Sequence, residues 1–191
     1  VKKIALFCSG SGSNAESIMK FFQSHPKIKV ALLVYNRKEA GAKLRAEKFQ
    51  VTALYIKGEE FKNEEGPLNQ AFLDFEIDFI LLAGFLLMIP FWVIQKYPDK
   101  ILNIHPALLP NFGGKGMYGH FVHSAVKKSG IKETGMTIHL VNEKYDEGKI
   151  LFQATCPVWE SDSESDIAAR VLNLEHLHYP LVAEQFILSK P

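Results

Sequence analysis

Cysteine is scarce in this sequence. Cys8 and Cys156 are the only two in 191 residues, far apart and each within or beside an apolar run. That excludes a disulfide framework and leaves two buried free thiols as the expectation. The seven histidines lack ligand spacing with Cys or carboxylates, so no metal site is expected. Neither sign of charge dominates: 22 Lys+Arg against 21 Asp+Glu leave a net charge of +1. No global field therefore draws nucleic acid or an anionic membrane to the chain, and neither is expected as a partner. No apolar run approaches the ~20 residues of a membrane span. The opening VKKIALFC is interrupted by SGSGSN too soon to read as a signal peptide. With no repeat, linker or charge block to divide it, residues 1–191 read as one domain of a cytoplasmic enzyme.

What is present is a regular alternation. Apolar runs of strand length fall at Lys3 to Cys8, Val30 to Val34, Val51 to Tyr55, Phe79 to Ala83 and Ile101 to Ile104. Amphipathic stretches lie between them at Ala15 to Gln23, Gly41 to Phe49, Pro67 to Phe75 and Pro90 to Lys96. This is the mark of βαβ units and a mainly parallel sheet covered on both faces, with right-handed crossovers. After Pro110 comes a Gly-rich segment, NFGGKGMYG, then a short helical pattern from His120 to Lys128. We expect the Gly-rich segment to act as a mobile lid, and His120 and His123 to sit on the helix surface. The runs TGMTIHLV and KILFQATCPV, joined by NEKYDEG, predict an antiparallel or mixed extension of the sheet. A final helix capped by Ser163 or Ser165 follows, through Ile167, Val171, Leu174 and Leu177. The fold class is α/β: a doubly wound, Rossmann-like domain with a C-terminal β extension and a final helix.

The first strand ends in Ser9-Gly10-Ser11-Gly12-Ser13-Asn14, and a helix follows at once. Free backbone N–H groups and the positive end of a helix dipole converge there, which makes an anion site. Gly10 and Gly12 allow tight turns, and Ser11, Ser13 and Asn14 add donors suited to a phosphate monoester. The same letters contain Gly10-x-Gly12-x-x-Ala15, one form of the dinucleotide fingerprint. The acid that should close the second strand is missing, since the chain there reads Tyr35-Asn36-Arg37. An NADP protein, for which Arg37 could meet a 2′-phosphate, and a purely structural Gly-rich turn both stay open at this point.

Along the fifth strand Asn103 and His105 fall on one face, at the carboxyl end where open α/β sheets bind ligands. Pro106 holds the chain extended behind His105. His139 lies in the apolar run TGMTIHLV, and Asp146 opens the turn Asp146-Glu147-Gly148. A carboxylate beside an imidazole orients it and favours its charged form. Asn, His and Asp without a Ser or Cys nucleophile point to transfer directly between two bound substrates.

Taken in order, SGSGSN, LLAGFLLMIP, ILNIHPALLP, TGMTIH, YDEGKILFQ and ARVLNLEHLHYPLV resemble the glycinamide ribonucleotide transformylase family over nearly the whole chain. The resemblance implies a cytoplasmic folate-dependent formyltransferase of purine biosynthesis. Its co-substrate would be 10-formyltetrahydrofolate, its partners small molecules, and its state a monomer or homodimer. It implies catalysis by Asn103, His105 and Asp146. The ribonucleotide phosphate would lie on Gly10, Ser11, Gly12, Ser13 and Asn14, with Glu175 at the ribose. Folate would meet Leu86, Leu87, Met88, Ile89, Asn103, and the turn of Asn142, Glu143, Lys144, Tyr145 and Asp146.

The sequence also departs from the family. Phe61-Lys62-Asn63-Glu64 stands where many members carry a basic residue, leaving Lys62 as the one candidate for the folate glutamate tail. The AGF turn continues as Leu86-Leu87-Met88, without the Arg of some members. The wider circle includes methionyl-tRNA formyltransferase and formyltetrahydrofolate hydrolase. Those usually carry a further domain, for which 191 residues leave no room, and a tRNA enzyme would also be expected to show a basic excess. A phosphate-binding module would leave Asn103, His105 and Asp146 unexplained.

Overall fold

A computed structural model describes residues 1–39 and 41–191. Seven strands form one sheet in the order β3-β2-β1-β4-β5-β6-β7. They are β1 (Lys2–Cys8), β2 (Ile28–Tyr35), β3 (Thr52–Tyr55), β4 (Phe79–Leu82), β5 (Ile101–His105), β6 (Glu133–Leu140) and β7 (Ile150–Pro157). The first five are parallel, and β6 and β7 add on antiparallel, giving the expected α/β sheet with its C-terminal extension.

The period of two divides the core. Ile4, Leu6 and Cys8 of β1 and Phe79 and Leu81 of β4 face one way, toward the helices α1 (Ser13–Phe22), α2 (Ala42–Lys48), α5 (His120–Ser129) and α6 (Glu164–Leu188). Ala5 and Phe7, with Ile80 and Leu82, face the other way, toward α3 (Pro67–Asp74) and α4 (Phe91–Lys96). Both faces of the central strands are covered, so β4 can read FILL without a polar break. Chain direction across the sheet reverses between β1 and β4, and the crevice outside their carboxyl ends is where such sheets hold ligands.

The final helix is longer than its apolar periodicity suggests. A capping box between Ser163 and Asp166 starts it, and it continues through Pro180. A proline lacks the N–H that would bond the carbonyl four residues back. That carbonyl, of His176, instead accepts a hydrogen bond from Ser17 Oγ of α1 at 3.1 Å. The buried stripe is Ile167, Val171, Glu175, Tyr179 and Ala183, whereas Leu177 is exposed. The Tyr179 hydroxyl donates to the carbonyls of Leu82 and Leu102, fastening α6 across β4 and β5.

Candidate active site

The ends of β1, β4 and β5, the segments 114–123 and 139–146, and α6 meet around a cavity of about 1020 Å³. At the end of β1, Gly12 is the N-cap of α1 with φ 77, and a Cβ there would stand 2.8 Å from the Ala42 backbone. Glycine is thus required both by the left-handed turn and by the approach of α2. Gly10, Ser11, Ser13 and Asn14 line the cavity, while Gly12 supports the turn from behind. Asn14 Nδ2 donates to Glu175 Oε2 at 2.7 Å, joining α1 to α6 across 161 residues of chain. Burial pushes the Glu175 carboxyl up to about 7, against the lowering effect of that hydrogen bond.

The turn after β4 contributes an apolar wall. Ser9 Oγ accepts from the Leu86 N–H at 2.9 Å, so the first loop fixes the turn. Leu86, Leu87, Met88 and Ile89 all reach the cavity, as do Phe85 and Val141. Of the 142–146 turn, Asn142, Lys144, Tyr145 and Asp146 line it, and Glu143 faces a small neighbouring depression with Phe91 and Ile94. Lys62 closes a short 3-10 turn and does not line the cavity. The Trp92 indole donates to the Phe61 carbonyl of that turn, and Lys62 itself is exposed. The cavity's cations are Arg37, Lys115 and Lys144.

At the centre, Asn103 and His139 stand opposite each other in the antiparallel β5–β6 pair. His139 Nδ1 donates to the Leu140 carbonyl at 2.8 Å, which leaves Nε2 to accept from Asn103 Nδ2 at 3.0 Å. The second Asn103 N–H faces Asp146 Oδ1 at 3.5 Å, the same separation as His139 Nε2 from that oxygen. Asp146 Oδ2 lies 3.6 Å from His105 Nδ1 and accepts from the Gly114 N–H at 2.9 Å. His105 Nε2 donates to the Phe112 carbonyl at 2.8 Å. Phe112 and Asp146 both have φ 55. Left-handed backbone is uncommon for a phenylalanine and better tolerated by aspartate, and it concentrates at functional sites. A register shift between Ile138 and His139 lets β7 bulge where the 142–148 turn leaves the sheet.

Burial raises the Asp146 carboxyl, but the neighbouring His139 and His105 rings and the Gly114 N–H outweigh it and hold the group below its ordinary value. For His105 the balance runs the other way. Burial lowers the imidazole more than Asp146 and the Phe112 carbonyl raise it, and His139 lowers it further. Against the expectation that Asp146 keeps His105 cationic, desolvation is the larger influence and the balance favours the neutral ring.

One further correction concerns residues 111–123. The Gly-rich segment is bonded to the centre through Phe112 and Gly114, and it brings Lys115 and Tyr118 to the cavity. His120 is exposed against the Phe121 ring, as expected of a surface residue. His123 is buried instead, because it falls between Val122 and Val126 on the face of α5 that packs on α6. His139, Arg37 and His123 were the site residues hardest to assign in advance. His139 carried one usable signal, its two-residue alternation with Thr137 and Gly135 opposite β5.

The class of protein follows from this geometry together with sequence similarity: residues 2–183 match the formyl transferase family, and the chain belongs to it. Among its relatives is the phosphoribosylglycinamide formyltransferase of Bacillus subtilis, 34% identical over 98% of this chain and 95% of that protein. The chloroplastic phosphoribosylglycinamide formyltransferase of Arabidopsis thaliana is 42% identical over 93% of this chain and 63% of its own length. The chain thus spans less than two thirds of that plant relative, and 60% of the one from Vigna unguiculata. The crystal structure of the Bacillus halodurans phosphoribosylglycinamide formyltransferase superposes with a TM-score of 0.88 at 30% identity, covering 99% of this chain and 96% of that one. Among the described residues, no helix is long and apolar enough to cross a membrane.

Proposed function

We propose that the chain transfers the formyl group of 10-formyltetrahydrofolate to the amine of 5-phosphoribosylglycinamide, a step of purine biosynthesis. Membership of the formyl transferase family supports a folate co-substrate. The observation that carries the reading is the position of Asn103, His105 and Asp146 between an anion-binding turn and an apolar wall in one cavity. The phosphate belongs on the N–H groups of residues 10–14, with Glu175 at the ribose. The wall of Phe85, Leu87, Ile89 and Val141 suits a flat heteroaromatic ring, and the 142–146 turn closes over it.

The reaction forms one bond from the amine nitrogen to the formyl carbon and breaks one from that carbon to the folate nitrogen. One proton leaves the amine and one reaches the folate nitrogen. Since His105 Nε2–H is given to the Phe112 carbonyl, the neutral ring offers Nδ1 as the proton acceptor. Once protonated there, the imidazolium faces the Asp146 carboxylate, which stabilises it and lets the proton be passed on. Asn103 gives one N–H to His139 and keeps the other, at its long separation from Asp146, for the oxygen that becomes negative.

The test is an assay with purified protein, 10-formyltetrahydrofolate and the ribonucleotide, followed by folate absorbance. Formyl transfer that depends on the ribonucleotide is the expected result. Release of formate at the same rate without an acceptor would replace this reading with a hydrolase.

A further inference from the structure

His123 is a polar side chain that the chemistry above does not use. It is 8% exposed and lies on the cavity wall. Its Nδ1 is buried and has no hydrogen-bond partner among the described residues. A buried nitrogen without a partner costs roughly 1–3 kcal/mol, so a native structure that retains one calls for an explanation. Nδ1 is closed off even from the cavity, so the nitrogen that can meet a ligand is Nε2, which is neither occluded nor hydrogen-bonded among the described residues while the ring lines the cavity. Burial first, then the neighbouring His105, hold the ring below its ordinary value against the pull of Glu164, so His123 meets that ligand uncharged.

The two faces of the sheet decide which ligand. Val122 and Val126, on either side of His123, belong to the core under α1 and α6. That face also carries Asn14 and Glu175, and α6 lines the cavity beside His123 with Ala168, Val171 and Leu172. The apolar wall of Phe85, Leu87, Ile89 and Val141 belongs to the opposite core. His123 therefore approaches His105 from the side of the anion turn, across α6 from it. A substrate with its phosphate on residues 10–14 and its amine at His105 must pass its connecting amide along this stretch.

We propose that His123 hydrogen-bonds, through Nε2, the amide of the glycinamide arm of the acceptor, fixing the direction from which the amine meets the formyl carbon. The proposal rests on the function assigned above. It makes His123 a substrate contact on the ribonucleotide side alone.

Two variants separate polarity from packing. His123→Leu fills the volume without a polar atom, while His123→Gln keeps a polar atom near the position of Nε2. Calorimetric titration with the ribonucleotide and, separately, with a folate analogue is combined with steady-state kinetics. The leucine variant is expected to weaken ribonucleotide binding and raise its KM about tenfold, the scale of one neutral hydrogen bond. Its affinity for the folate analogue should match the wild type, and the glutamine variant should recover most of the loss. Wild-type ribonucleotide affinity in the leucine variant would overturn the contact. So would equal loss of both ligands in both variants, which would make His123 a packing residue. A wild-type protein that transfers no formyl group to the ribonucleotide and does not bind it would overturn the functional reading itself. That outcome is read before any variant is made.

Discussion

At His105 two influences oppose each other. Asp146 and the Phe112 carbonyl favour the imidazolium, and burial, the larger effect, favours the neutral ring. In the proposed reaction the neutral ring accepts the amine proton, so activity should fall on the acid side as pH drops through a His105 value below the ordinary 6.5. Asp146→Asn removes the supporting charge and leaves burial unopposed. It should move that acid limb to lower pH while turnover falls by ~10²- to 10⁴-fold, with both substrates still bound. pH–rate profiles and NMR titration of His105 check this. Turnover within a few-fold of wild type and an unmoved titration would leave Asp146 as a turn residue only. Glu175 gives a second, independent test. Its carboxyl is raised in the fold to about 7, so the associated stability is fully present below the ordinary value and is lost as pH rises through about 7. Thermal melts of wild type should decline over that window, and Glu175→Gln should flatten the decline. Equal slopes in the two proteins would mean that the carboxyl ionises without cost.

The elements differ in how far their sequence announces them. The five parallel strands were legible because burial on both faces leaves them uniformly apolar, and β6 and β7 because they are patterned runs around a polar turn. Asn103, His105 and the first loop were legible because their place at strand ends is dictated by chain order. His123 was not, because a short helix with His at two positions does not reveal which face will meet α6. The turn that carries Lys62 is likewise held by Trp92, some thirty residues onward, which its neighbours in sequence do not announce. The passage of α6 through Pro180 also rests on a partner outside the helix. Ser17→Ala would leave the His176 carbonyl without its donor, at a cost of about 0.5–1.5 kcal/mol. Thermal denaturation should show a fall of a few degrees, as expected at this chain length from such a loss. An unchanged melting temperature would indicate that water replaces the hydroxyl without penalty.

Over the whole molecule, one cavity is served by two cores on opposite sides of a single sheet. The ribonucleotide should slow amide hydrogen exchange in residues 10–16 and 171–176, and a folate analogue in 85–89 and 141–146. Both should protect 112–116, which bonds to the centre. Identical protection by the two ligands would contradict the division of the cavity. The link between Asn14 and Glu175 has a consequence for how the protein comes into being. Its two ends are separated by 161 residues, and a ribosome adding roughly 5–20 residues per second needs about ten to thirty seconds to span that interval. Throughout it, the anion turn exists in the nascent chain without the helix that completes it, so whatever binds there must wait on the synthesis of α6.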